Sequence, residues 1–275
     1  MADPAPRRRP VVTFLSDFGR QDEYVGVVHS VLRRLAAGPD GDGVEIVDLA
    51  HDLPAGDVRA GAAMLERSVD HLADGVVLAV VDPGVGSDRR RVALDCGRLA
   101  LVGPDNGVLV PAAERAGLRR VVELAEPRFW LTPDTSTFDG RDVFAPVAAR
   151  LCSGLDLAEL GPGVAPASLV RPEPPVRRLV GGILEAEVTW VDRFGNVALA
   201  AGADELAALG PGPYTVRVPA GFHTARLVAA FADLGPDELG ALIDSSGQLA
   251  LVRRLRSAAE VLGSPPGTLV VIGPA

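Results

Sequence analysis

Six stretches of this chain place carboxylates, arginines, hydroxyls or amides where a ligand could meet them. In FLSDFGRQDEYVG (residues 14–26), Asp17 follows a buried, strand-like run. A carboxylate at a strand end can take both hydroxyls of a ribose diol, and it can equally cap a turn. Asp22 and Tyr24 stand near the start of the next helix, where Asp22 could serve as its cap. In VVDPGVGSDRRR (80–91), Asp82 leaves a strand, and Gly84 and Gly86 allow a tight return that can bring Arg89 back onto it. On a surface such a pair would be worth little. The stretch is not a phosphate loop, because it has no GK[ST] and lacks the dinucleotide glycine spacing.

In STFDGRDVFAP (136–146), Ser136 and Thr137 could cap a short element, and Asp139, Arg141 and Asp142 crowd together before a helix. A solvated helix start accounts for Asp142 but less well for all three charges. In WVDRFGNVAL (190–199), Asp192 and Asn196 bracket Phe194 and Gly195. An aromatic plus an amide suits an adenine ring, and a β-turn with a buried Phe explains the same residues. In IDSSGQLALVRR (243–254), Ser245 and Ser246 form a polar turn with Arg253 downstream, as an ordinary hairpin would also have. GPDNG (103–107) reads mainly as a structural turn.

These stretches need elements to hold them. Strands are expected over 11–15, 44–49 and 75–81, with a hairpin over 91–96 and 99–102 turning at Gly97-Arg98. Helices are expected over 24–36, 57–68, 107–116 and 141–153. That alternation predicts an N-terminal α/β domain over 10–170 with a parallel or mixed sheet. VRPEPPVRRL (170–179) reads as a linker. Beyond it, over 180–275, short strands at 182–191, 197–200, 214–218, 249–251 and 268–272, with one helix near 236–243, predict a mostly β domain. Residues 1–9 read as a disordered tail.

Composition narrows the function. The chain has 275 residues, 48% of them hydrophobic, and a formal charge of −9. It can build a large core, and it lacks the basic face of a nucleic-acid binder. There is no Lys, so no lysine nucleophile or Schiff base is available. Cys96 and Cys152 form no metal spacing or disulfide framework. His29, His51, His71 and His223 form no HxH or HxxxH pair, which argues against a zinc site and weakens a metal-dependent phosphoesterase. No signal peptide and no run of membrane-spanning length is read, so the cytoplasm is the default.

The order of the motifs is more specific than any one of them. SDFG–D–YVG, VVDPGVGS–RR, GPDNG, TF–GRD–FAP and D–FGN together resemble the S-adenosylmethionine hydroxide adenosyltransferase family, relatives of the bacterial fluorinase and chlorinase. The resemblance runs from about residue 11 to about residue 255. It implies an N-terminal α/β/α sandwich, a C-terminal barrel-like β domain, and a homotrimer with its ligand between neighbouring subunits. It implies Asp17 on the ribose hydroxyls, Asp22 and Tyr24 near the methionine portion, and Asp192 on its ammonium. Phe194 and Asn196 would hold adenine. Ser245, Ser246 and Arg253 would line the methionine carboxylate and adenine end, and Gly140 joins the substrate-binding set. Asp82, Arg89 and residue 139 would form the catalytic triad beside a water. The family's usual pattern there is TFHGRD, whereas this chain has TFDGRD, with Asp139 in place of the histidine.

The implied reaction is hydrolysis of S-adenosylmethionine to adenosine and methionine, with no cofactor or metal. The sulfonium leaves as a neutral thioether, so the protein must supply alignment and a competent oxygen nucleophile. Alignment alone can remove roughly 7–11 kcal/mol of barrier. Asp82 and Asp139 are expected to flank Arg89, with one of the carboxylates taking the water proton. Two carboxylates at that point should also repel a halide, by roughly 4 kcal/mol per close pair at an effective dielectric near 20. A sensor that binds S-adenosylmethionine or adenosine without turnover is the non-enzymatic alternative.

Overall fold

The computed structural model describes residues 10–36, 43–132 and 137–275. The expected tail over 1–9 and the Ser136 cap lie outside the described residues. The chain divides into two units, Met1–Pro172 and Glu173–Ala275.

The first unit is built on strands β1 (Val11–Ser16), β2 (Glu45–Ala50), β3 (Gly75–Val80), β4 (Arg91–Asp95), β5 (Leu99–Pro104) and β6 (Arg120–Glu123), ordered β2-β1-β3-β5-β4-β6. β2, β1, β3 and β5 run parallel, and β4 is antiparallel to β5 and β6. β3 is apolar throughout because both its faces are covered. Its residues alternate between the two cores: Val76, Leu78 and Val80 face one, Val77 and Ala79 the other. Helices α1 (Tyr24–Leu35) and α4 (Ala145–Cys152) fill the first core, and α2 (Val58–Ser68) and α3 (Val110–Arg115) the second. This is the expected α/β/α sandwich. α1 buries Val28, Val31 and Leu32 at helical spacing and ends on Arg33 and Arg34, which suit its C-terminal dipole. α2 is capped by Asp57, which accepts a 2.9 Å bond from the Ala60 N–H.

The second unit contains β7 (Arg177–Val180), β8 (Ile183–Val191), β9 (Val197–Gly202), β10 (Tyr214–Val218), β11 (Gly221–Leu227), β12 (Leu239–Ile243), β13 (Gln248–Arg253) and β14 (Leu269–Pro274). Pairing of β14 with β8 closes a 7-stranded barrel, with β7 added outside on β8. Leu184, Val188, Tyr214, Val216, Leu251 and Ile272 fill it.

Two expectations need correction. The linker over 170–179 runs into β7, whose Arg177 to Val180 pair with β8. The helix expected near 236–243 is strand β12, bonded to β11 on one side and β13 on the other. A short apolar run such as LGALI has no period that separates helix from buried strand, and ladder pairing decides it. A third difference is local: the helix expected from Arg141 begins as a π-helical turn over Gly140–Phe144 before α4.

Candidate active site

β1 sits between β2 and β3, with α1 on one face of the sheet and α2 on the other. That reversal of strand order opens the carboxyl edge of the sheet to ligands. Ser16 pairs with Val80 at this edge, so Asp17 and Asp82 leave adjacent strand ends. Arg91 opens β4 opposite Pro104 at the end of β5, and therefore lies on the same edge.

The structure brings Asp82, Arg89 and Asp139 together. Arg89 Nε donates to Asp82 Oδ1 at 2.7 Å, and Nη2 donates to Asp82 Oδ2 and to Asp139 Oδ2. The return of the loop is shaped by Ser87, whose N–H and hydroxyl both donate to the Gly84 carbonyl, at 3.1 and 2.6 Å. Asp139 has 0% side-chain exposure and Asp82 6%. Burial works against the Arg89 charge, but its bonds to Asp82 and Asp139 outweigh that and hold its pKa above the ordinary value. Arg89 Nη1 is buried and has no hydrogen-bond partner among the described residues.

Sequence reasoning missed Arg91. Its Nε donates to Asp139 Oδ2 at 2.8 Å and its Nη2 to Oδ1 at 3.1 Å, while its guanidinium lies 5.3 Å from the Trp130 ring centre. Both oxygens of Asp139 are therefore committed to guanidinium groups. The expected repulsion of a halide by two bare carboxylates does not stand in that form, because each acid is matched by an arginine. Asp142 also departs from the solvated helix start: it is buried and held by Arg141 at 2.7 and 2.8 Å.

The SDFG turn meets the π-helical turn through aromatic rings. Phe18 lies 5.5 Å from Phe138, and Tyr24, exposed at the start of α1, lies 5.3 Å from Phe138. A side chain at Gly140 would meet Phe18 and Phe138 at 3.0 and 3.1 Å, so the two rings would have to give way by a few tenths of an ångström to admit one. Asp17 Oδ2 accepts the Gly56 N–H at 2.7 Å, which leaves Oδ1 for a ligand. Asp22 is exposed beside this turn. GPDNG buttresses the site from behind. Asn106 donates to the Val81 carbonyl at 2.8 Å, just before Asp82, and Asp105 accepts from Arg90 Nε at 2.8 Å.

A second group escaped the sequence because it is scattered along the chain. His29 Nε2 lies 2.8 Å from Asp48 Oδ1, His51 Nε2 lies 2.9 Å from the same oxygen, and Ser16 Oγ lies 2.7 Å from His51 Nδ1. His29, Asp48 and His51 are close enough to share an ion. The His29–Asp48 and Ser16–His51 contacts are hydrogen bonds, whereas His51 Nε2 is close to Asp48 without an aligned bond to it; ligands about 2.0–2.1 Å from a tetrahedral zinc would stand about 3.3 Å apart.

In the second unit, Asp192 is committed to its own turn. Its Oδ1 accepts the N–H groups of Phe194 and Asn196 at 2.8 and 2.9 Å, and Oδ2 accepts Asn196 Nδ2 at 2.7 Å. Gly195 has φ +81° and lies against Ser257, where a Cβ would collide. Phe194 at the turn tip is 77% exposed, so the buried-Phe alternative fails. Ser245 and Ser246 are exposed in the turn between β12 and β13, whereas Arg253 ends β13 and pairs with Asp237 at 2.7 Å. Within one chain these residues lie at opposite ends of a strand, roughly 20 Å apart, and are not brought together.

Among the described residues no helix is long and apolar enough to cross a membrane. Residues 12–161 match the SAM hydroxide adenosyltransferase N-terminal domain and residues 186–271 its C-terminal domain. The chain is 47% identical over 261 residues to the (R)-S-adenosyl-L-methionine hydrolase of Salinispora tropica, covering 94% of this chain and 95% of that one. It is 29% identical over 285 residues to the fluorinase of Nocardia brasiliensis, covering 92% and 93%. The crystal structure of an uncharacterized conserved protein from Thermotoga maritima superposes with a TM-score of 0.86 at 32% identity, covering 95% and 99%. This chain belongs to the S-adenosylmethionine hydroxide adenosyltransferase family.

Proposed function

We propose that the protein hydrolyses S-adenosyl-L-methionine to adenosine and L-methionine by in-line attack of water or hydroxide on C5′. The observation that carries this is the buried Asp82–Arg89–Asp139 cluster at the edge of the sheet that also carries Asp17. The new bond is C5′–O. The bond that breaks is C5′–S, whose electron pair stays on sulfur and neutralises it.

The roles within the cluster follow from its hydrogen bonds. Asp139 is sealed between Arg89 and Arg91 and holds them in place; it does not take the proton. Asp82 keeps a free lone pair on each oxygen after its bonds to Arg89. It accepts the proton of the attacking water, and Arg89 Nη1, which has no partner among the described residues, donates to the same oxygen and stabilises its hydroxide character. A water can accept from Arg89 and donate to Asp82 at once, whereas a halide can only accept. That asymmetry, rather than net charge, favours hydrolysis over halogenation.

The departing sulfur already carries the positive charge, so the reaction asks for no metal and no cofactor. A homotrimer with shared sites and a cytoplasmic location complete the proposal. Phe194, left 77% exposed, supports a surface that a ligand or neighbour covers. A sensor without turnover is the second reading, favoured by the sealing of Asp139.

The test is incubation of purified protein with S-adenosylmethionine and chelator in ¹⁸O-water. Equimolar adenosine and methionine, with the label in the 5′-hydroxyl, is expected. Tight binding with full recovery of substrate would establish the sensor, and a 5′-halo product with added chloride or fluoride the halogenase.

A further inference from the structure

The turn that carries Asp17 is gripped at both ends by a single residue. Before Asp17, Ser16 Oγ lies 2.7 Å from His51 Nδ1; after it, the Gly19 N–H donates to the His51 carbonyl at 2.7 Å. Ser16 Oγ also accepts the Phe18 N–H at 3.4 Å. The His51 ring is in turn immobilised. It has 0% side-chain exposure, its Nε2 stands 2.9 Å from Asp48 Oδ1, and it packs edge-on 4.6 Å from Phe14. His29 from α1 holds the same Asp48 oxygen at 2.8 Å.

We propose that Ser16, His51 and Asp48 are positioning residues for substrate: together they aim the free Oδ1 of Asp17 at the ribose hydroxyls. His51 is the hinge of this device, since its ring fixes the entry to the turn and its backbone fixes the exit. Burial disfavours the charged imidazole. The Asp48 carboxylate 2.9 Å from Nε2 favours the neutral ring with its proton on that nitrogen, although the contact is not an aligned hydrogen bond, so that Nδ1 accepts from the Ser16 hydroxyl. Asp48 thereby sets the tautomer, the tautomer sets the Ser16 rotor, and Ser16 sets the backbone that presents Asp17.

The proposal rests on Asp17 binding the ribose diol, and the test separates the two claims. Binding of adenosine and of 2′,3′-dideoxyadenosine is measured by calorimetry on the wild-type protein and on Asp17→Asn, Ser16→Ala and Asp48→Asn. Misplacing one charge-assisted contact should weaken adenosine about tenfold in Ser16→Ala and leave the dideoxynucleoside within about twofold. A merely structural role would weaken both ligands equally and overturn the proposal. If Asp17→Asn itself does not discriminate between the two nucleosides, the ribose assignment falls instead. Should Ser16→Ala fail to fold, Asp48→Asn keeps the side-chain shape and carries the same comparison, with the same selective loss expected.

Discussion

Arg91 and Asp139 form a forked contact, Nε to Oδ2 at 2.8 Å and Nη2 to Oδ1 at 3.1 Å, in which Oδ2 is shared with Arg89. An acid with no exposure needs such compensation, since removing one partner of a buried pair strands the other charge.

The first prediction follows from that pairing. Arg91→Leu leaves Asp139 with Arg89 alone, pulls that guanidinium away from Asp82, and should lower kcat about tenfold with little change in KM. Asp139→Asn removes the charge that Arg91 serves, so the two losses should not add in the double variant; contacting pairs couple by about 0.5–3 kcal/mol. Additive losses would mean that Arg91 acts elsewhere. Asp139→His should be tolerated, because the side chain then needs no second cation.

Asp82 is assigned the proton. Asp82→Asn should therefore reduce kcat about 10²–10⁴-fold, the usual worth of a positioned base. The deficit should shrink as pH rises, since hydroxide needs no base. A kcat that is insensitive to this substitution at neutral pH would remove Asp82 from the reaction.

Much of this site could be read before the fold, and the reason is local. Asp17 and Asp82 each follow an apolar run, and the glycines at 84 and 86 announce a return that carries Arg89 back. Arg91 could not be read. Its partner is 48 positions away, and only the register of β4 against β5 points it at the same edge. His29, Asp48 and His51 have no ligand-like spacing, since a helix and a strand end supply them separately. The α/β class followed from the alternation of elements and the sandwich from the family resemblance, while β12 was lost because burial on both sides erases the pattern that marks a strand.

The histidine–carboxylate group predicts a pH dependence of stability. Burial lowers the His51 pKa, only partly opposed by Asp48, with Arg20 and His29 adding to the fall. As pH drops below the ordinary imidazole value of 6.5 the unfolded chain takes up a proton that the folded chain resists, so stability falls. Burial raises the Asp48 pKa, but its bonds from His51 and His29 outweigh this and the net shift is downward. Its contribution is present above 3.8 and is lost as pH falls through the depressed folded value. Both windows therefore have the same sign. Tm should decline from pH 7 to pH 5, and His51→Gln should flatten that decline. An unchanged slope in the variant would show that another group sets it.

Phe194 is the last case, because its exposure separates fold from ligand. At 77% exposed it contributes little to the core, so Phe194→Ala should leave stability within about 0.5 kcal/mol. Stacking of a base on an aromatic ring is worth about 1–3 kcal/mol. Adenosine affinity should accordingly fall by roughly ten- to a hundredfold, while methionine affinity is unchanged. The Asp192 turn holds the backbone independently of the ring, through its bonds to the Phe194 and Asn196 N–H groups, so the loss reports the ring alone. A fall in Tm without a fall in adenosine affinity would place Phe194 in packing between subunits and move the adenine site elsewhere.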